Sequence, residues 1–167
     1  MFAAVPIETG ESMQILKCYV AGPLFSNQDR DLLEQIAGHF ESQGVSVYLP
    51  HRDGGDLGTL IYNAQRDKLR NELFKKDIEN LKDSNFVVCL LDGQDVDSGT
   101  CVEIGIAFAM DLPIFGLKTD IERRGSVINN MVWGACDSGN HIFEDIVSLF
   151  SAVDRVVRFQ PERTPSE

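Results

Sequence analysis

Residues 86–91 read Phe-Val-Val-Cys-Leu-Leu, a run without a single polar position. A strand with one face in water alternates apolar and polar residues. A strand that does not alternate is covered on both faces, as in parallel sheets sandwiched by helices. This run therefore demands helices before and after it, and the chain supplies them. Residues 15–21 form another apolar stretch, ended by Gly22-Pro23. Leu32, Leu33, Ile36, Ala37 and Phe40 follow at helical spacing within 29–43, and Gly44 stops them. Residues 45–49 read as a strand and 60–83 as a long helix carrying Leu69, Leu73, Ile78 and Leu81. The segment around Glu103 reads as a helix ending near Asp111. Residues 113–117 give a further strand, 118–125 a polar connection and 129–133 a short helix. A brief last strand at 141–143 and a closing helix at 144–153 complete the pattern.

Strands and helices in this alternation build an α/β fold around a parallel sheet. The expected architecture is a flavodoxin-like, doubly wound, five-stranded parallel sheet in the order 2-1-3-4-5. A ligand then belongs above the carboxyl ends of strands 1 and 3, where the strand order reverses. Gly22-Pro23-Leu24-Phe25 and the stretch from Asp92 to Glu103 converge there. For 167 residues a single domain is expected over 14–158, with a disordered tail at 1–13 and a polar tail at 159–167. Residues 51–59 contain three glycines and two aspartates, and read as a mobile loop.

The net charge of −11 argues against a nucleic-acid backbone or an anionic membrane as partner. No stretch approaches the ~20 apolar residues of a membrane span. The first twelve residues lack the basic start and apolar core of a signal peptide. A cytoplasmic location is the simplest expectation. Cys18, Cys89, Cys101 and Cys136 form no C-x-x-C pair, and His39, His51 and His141 lack zinc-site spacing, so neither metal nor cofactor is expected. Cys18 and Cys89 sit in strand-like runs and read as buried free thiols.

Candidate chemistry concentrates in Asp97-Ser98-Gly99-Thr100-Cys101-Val102-Glu103. A carboxylate beyond the end of a parallel strand stands where such sheets place reactive groups, and a helix N-terminus favours its ionised form. An ionised, poorly solvated carboxylate can attack the anomeric carbon of a sugar. The same residues also fit a capping box, Thr100-x-x-Glu103, whose only job is to start a helix. Asp92, Asp95 and Asp97 just ahead exceed what such a box requires. Cys101, at the same helix start, is an alternative nucleophile. Three other uses of this architecture fail on sequence. Gly22-Pro23-Leu24-Phe25 is too apolar for a flavin phosphate loop, and no G-x-G-x-x-G follows strand 1. A receiver domain would need an acidic pair at the end of strand 1.

Four segments in order carry a resemblance. Tyr19-Val20-Ala21-Gly22-Pro23-Leu24-Phe25, Lys76-Asp77-Ile78, Asp97-Ser98-Gly99-Thr100-x-x-Glu103-Ile104-Gly105 and Ile128-Asn129-Asn130-Met131-x-Trp133-Gly134 resemble motifs of the nucleoside 2-deoxyribosyltransferase family. The likeness runs over about residues 17–153. It implies transfer of 2-deoxyribose from a deoxynucleoside to a free nucleobase, in nucleoside salvage. The route would be a glycosyl-Glu103 intermediate with ping-pong kinetics and retained configuration. The resemblance implies Asp77 and Asp97 as further catalytic carboxylates. Asp97 would orient a sugar hydroxyl and Asp77 would serve the departing base, with the identity of the proton donor left open between them.

Substrate contacts are implied for Tyr19, Gly22, Phe25, Asp53, Ser98 and Gly99. Phe25 would pack on the base and Tyr19 line the sugar pocket. Asp53 would meet the base edge or simply hold its turn. Asn129 and Met131 would reach into a neighbouring subunit's site, making the protein a homo-oligomer, dimer or hexamer, with shared sites. Two alternatives stand beside this reading. One is hydrolysis of N-glycosidic bonds in (deoxy)nucleosides or nucleoside 5′-monophosphates; the other is a non-catalytic nucleoside-binding domain.

Overall fold

The computed structural model describes residues 15–55, 64–120 and 128–159. The expected tail at 1–13, all but Phe159 of that at 159–167, the start of the long helix, Asp56 and its neighbours in the glycine-rich loop, and most of the 118–125 connection lie outside them. The chain alternates β1 (Lys17–Ala21), α1 (Asn27–Glu41), β2 (Ser46–Tyr48), α2 (Ala64–Lys82), β3 (Phe86–Leu90), α3 (Ser98–Ala109), β4 (Ile114–Leu117), α4 (Asn130–Ala135), β5 (Ile142–Phe143) and α5 (Ile146–Phe159). All pairings are parallel, in the order β2-β1-β3-β4-β5. This is the flavodoxin-like arrangement expected from the alternation. Among the described residues no helix is long and apolar enough to cross a membrane.

Every residue of β3 is buried, as its unbroken apolar sequence requires. Alternate strand residues serve opposite faces of the sheet. One face sends Cys18, Val20, Phe86, Val88 and Phe115 against Leu33, Ile36 and Phe40 of α1 and Leu149 and Val153 of α5. The other face sends Tyr19, Ala21, Tyr48, Val87 and Cys89 against Leu81 of α2, Ile104 and Ala107 of α3, and Val132 of α4.

Local chemistry sets the element ends. Ser26 caps α1, its Oγ accepting from Asp29 N at 3.0 Å, so the helix begins two residues before the periodicity alone suggests. Gly22 follows β1 where a Cβ would lie 2.7 Å from Leu33 Cδ2; a side chain there would force Leu33 of α1 to move. The first part of the expected mobile loop is instead one π-helical turn, Pro50–Gly54. Three hydrogen bonds fasten Pro50–Gly54. Asp53 Oδ2 accepts from Leu49 N at 2.8 Å, and Lys76 Nζ donates to the Asp53 and Gly54 carbonyls.

Candidate active site

Helix α3 opens differently from the box expected over Thr100 and Glu103. Its cap is Asp97, whose Oδ2 accepts from Thr100 N at 3.0 Å and from Thr100 Oγ1 at 3.3 Å. Gly99 leaves the room, since a Cβ there would lie 3.0 Å from that oxygen. One of the three aspartates judged superfluous to a cap is thus the cap itself. A second, Asp92, accepts from Thr119 N at 2.6 Å and from the Thr119 hydroxyl, tying the loop after β3 to the loop after β4.

Glu103 therefore belongs to the second turn of α3, not to its opening. The dipole field fades within the first turn, and burial becomes the dominant influence. Burial in the fold pushes the Glu103 carboxyl up to about 7, with Asp77 and Asp97 adding to the rise, while a hydrogen bond from Tyr19 opposes it. The helix terminus is expected to favour the ionised form, but burial outweighs it: near neutral pH the free chain holds this group between its two protonation states.

Tyr19 and Tyr48 face each other across β1 and β2, in direct register. Their ring centroids lie 5.5 Å apart at 33°. Tyr19 OH donates to Glu103 Oε1 at 2.6 Å, and Tyr48 OH donates to Asp77 Oδ1 at 2.8 Å. Two carboxylates from two helices are thus held by two phenols from adjacent strands. Burial, and the carboxylates beyond it, hold both phenols well above their ordinary range, so they act as donors and not as bases. Burial also raises Asp77 above its ordinary value, the Tyr48 bond and Lys76 pulling the other way.

The other expected site residues divide. Ser98 and Gly99 are exposed on the first turn of α3. Asp53 is fully engaged, with Arg52 Nε on Oδ1 at 3.0 Å and both Leu49 N and Arg52 Nη2 on Oδ2. Burial works to raise it, but these donors hold it below its usual value. Holding its turn is what its oxygens do here. Phe25 is 86% exposed, so core packing is not its role. Met131 is 82% exposed, and Asn129 caps α4, its Oδ1 accepting from Met131 N at 2.8 Å. Cys101 is no activated nucleophile: burial and Asp97 raise its thiol, which donates to Val96 O. All four cysteines are free thiols, and Cys18, Cys89 and Cys136 are buried.

Two features escaped the sequence. Tyr48 lay inside an expected strand with nothing local to mark it; only its register with Tyr19 reveals it. Lys118 fell in the expected polar connection yet is 2% exposed. Its Nζ donates to Leu91 O at 3.0 Å, Gly93 O at 3.2 Å and Asp120 Oδ1 at 2.7 Å. It steadies the loop that leads to Asp97. Its place at the end of the apolar β4 was the available signal.

A cavity of about 610 Å³ lies between α3 and α4, lined by Val96, Cys101, Ile104, Phe108, Met131 and Val132 among others. Neither Glu103 nor Asp77 lines it. At 100° per residue, Cys101, Ile104 and Phe108 form one stripe of α3, and Glu103 projects from the opposite side. The carboxylate pair and the cavity are separate features.

Comparison with known proteins places the chain in a family and a fold. The family model described as nucleoside 2-deoxyribosyltransferase matches residues 18–138, most of the chain. A conserved protein from Enterococcus faecalis superposes with a TM-score of 0.65 at 24% identity, covering 85% of this chain and 99% of that one. A 2-deoxyribosyltransferase from Bacillus psychrosaccharolyticus gives 0.59 at 21% identity, covering 80% and 95%. A CMP N-glycosidase from Clostridium botulinum gives 0.52 at 20% identity, covering 83% and 98%. At these identities the structures establish a common fold. No curated protein sequence matches the chain significantly. The family model spans Tyr19, Tyr48, Asp77, Asp97 and Glu103, and the chain belongs to the nucleoside 2-deoxyribosyltransferase family.

Proposed function

We propose that the protein transfers 2-deoxyribose between nucleobases, in cytoplasmic nucleoside salvage, with Glu103 as nucleophile and Asp77 as proton donor. The observation that carries this reading is the pair of carboxylates held side by side by Tyr19 and Tyr48. Catalysis of this kind needs one carboxylate to bond to carbon and another to handle a proton. Glu103 Oε2, the oxygen without the Tyr19 bond, attacks the anomeric carbon as the bond to the base nitrogen breaks. The leaving nitrogen takes the proton of Asp77. An incoming base then attacks the same carbon, Glu103 departs with its electron pair, and the proton lost by that base returns to Asp77. Two inversions leave the configuration retained. Asp97 is the poorer donor, since Oδ2 already accepts two hydrogen bonds in capping α3.

The site is completed by a second copy of the chain. Phe108, Val102, Trp133 and Met131 are 61%, 56%, 47% and 82% exposed on α3 and α4, the helices that flank the cavity. So much exposed apolar surface at one place suits an interface. Asn129, exposed and with its amide nitrogen uncommitted by the cap, would reach the neighbour's sugar. Mixing inactive Glu103→Gln and Asn129→Ala chains should restore activity if sites are shared, and sedimentation should find at least a dimer.

Incubating the protein with a 2′-deoxynucleoside and a different free base tests the main reading. A new deoxynucleoside supports transfer; free deoxyribose alone supports hydrolysis; no turnover supports a binding domain. Glu103→Ala should lower exchange by about 10⁴-fold or more. Mass spectrometry with a slow donor should find the sugar on the peptide containing Glu103. The hydrolytic alternative is favoured by the fold shared with a CMP N-glycosidase and by exposed Ser98 and Gly99 at a helix N-terminus. Release of base from a nucleoside 5′-monophosphate, with none from the nucleoside, would select it.

A further inference from the structure

We propose that Tyr48 is a positioning residue for the proton given to the departing base: it occupies Oδ1 of Asp77 and so confines the transferable proton to Oδ2. The inference rests on the transfer reading above and adds to it a residue outside the motifs that signalled the family. Tyr48 is 5% exposed and its hydroxyl donates to Asp77 Oδ1 at 2.8 Å. A phenol has one proton. While that proton points at Oδ1, an acid proton on the same oxygen would meet it head-on, so the neutral form of Asp77 carries its proton on Oδ2. The tyrosine thereby decides both which oxygen is the acid and where it faces.

The surroundings enforce this arrangement. A Cβ on Gly54 would lie 3.2 Å from Tyr48 Oη and 3.4 Å from Asp77 Oδ1. A residue without a side chain therefore covers the hydrogen bond. Lys76, next to Asp77 on α2, donates to the carbonyls of Asp53 and Gly54 and keeps that turn in place. The charged and titratable groups around the pair are Lys76 from α2, Asp53 from the turn, Glu103 from α3 and Tyr19 from β1. Of these only Lys76 is cationic, and its ammonium is spent on carbonyls. Tyr48 is the neutral donor aimed at the carboxyl.

The test compares Tyr48→Phe with wild type on two donors. 2′-Deoxyguanosine releases an anionic base unless a proton is supplied; 7-methyl-2′-deoxyguanosine is already cationic and releases a neutral base without one. With the first donor, kcat should fall by about 10²-fold, a typical share for general acid catalysis, with KM unchanged. With the second, kcat should stay near the wild-type value. Removing a donor to the Asp77 carboxylate raises its pKa, so the alkaline limb of the surviving activity should move to higher pH. In an Asp77→Asn background the Tyr48→Phe change should cost nothing further. Circular dichroism and thermal unfolding check that the variant folds. Equal losses on both donors, no loss on either, or a further loss in the Asp77→Asn background would overturn the role given to Tyr48. A wild-type protein that releases base from neither donor would overturn the transfer reading itself, and this inference with it.

Discussion

The two faces of one sheet are built from the same strands and do opposite work. On the α1–α5 face the buried residues are hydrocarbon almost throughout. Phe40, Phe86 and Phe115 meet edge to face at 5.7 and 6.4 Å. Its polar contacts, such as His39 with Asp154, lie at the margin of this core, and burial of the rings converts directly into stability. On the α2–α3–α4 face the aromatic positions are Tyr19 and Tyr48, and their hydroxyls prop up Glu103 and Asp77. One step along each strand thus changes a purely apolar core into a platform for ionisable groups. Both faces bury an apolar cluster, but only the second also holds desolvated carboxyl groups against it.

Mutations on either face can break that comparison. The largest effect belongs to the apolar face. Phe40→Ala should cost about 3–5 kcal/mol in urea unfolding, because a fully buried ring leaves a cavity beside Phe86 and Phe150. A cost below that of an ordinary surface change would show that α1 repacks freely and that the two faces are not so unlike.

The next effect has the opposite sign. Glu103 titrates near 7 in the folded chain against an ordinary 4.5. The folded state therefore binds the proton more tightly, and its stability is fullest below about pH 4.5. That contribution declines as pH rises and is lost above about 7. Glu103→Gln, which keeps the shape without the charge, should stabilise the protein at pH 8 by about 2 kcal/mol. Near pH 4 the gain should vanish. Urea unfolding at both values measures it, and a gain independent of pH would refute the electrostatic origin.

The smallest effect sharpens the picture. Tyr19→Phe deletes one hydroxyl from a fully buried ring and should cost about 1 kcal/mol. It also removes the one contact that lowers the Glu103 pKa, so the acid limb of activity should shift to higher pH. An unmoved limb would mean that Tyr19 packs but does not tune.

Much of the frame was readable from local pattern. The unbroken run 86–91 predicted a doubly covered strand, and the 3–4 spacing of Leu33, Ile36, Ala37 and Phe40 predicted the buried stripe of α1. Glu103, Asp77 and Tyr19 were legible as motif residues, though their pairing was not. The likeness gives Asp97 a sugar hydroxyl and leaves Asp53 between the base edge and its own turn; in this structure Asp97 Oδ2 caps a helix and the Asp53 oxygens fasten a turn. Aspartate favours both tasks equally in sequence, and only coordinates separate them. Lys118 read as surface because lysine is seldom buried; its three oxygen partners come from two loops and could not be counted in advance.

What the sequence alone determined is the layered α/β frame, since hydrophobic periodicity is a property of neighbours along the chain. The strand order is expected of that architecture and rests on pairings between distant strands. What the tertiary structure decided is the chemistry of the carboxylates. Tyr19 and Glu103 stand 84 positions apart, Tyr48 and Asp77 stand 29 apart, and their bonds exist only because β1 and β2 pair in one register. Desolvation depends on everything packed around a group in three dimensions. That is why the helix start suggested an ionised Glu103, and the folded chain leaves it poised near neutrality.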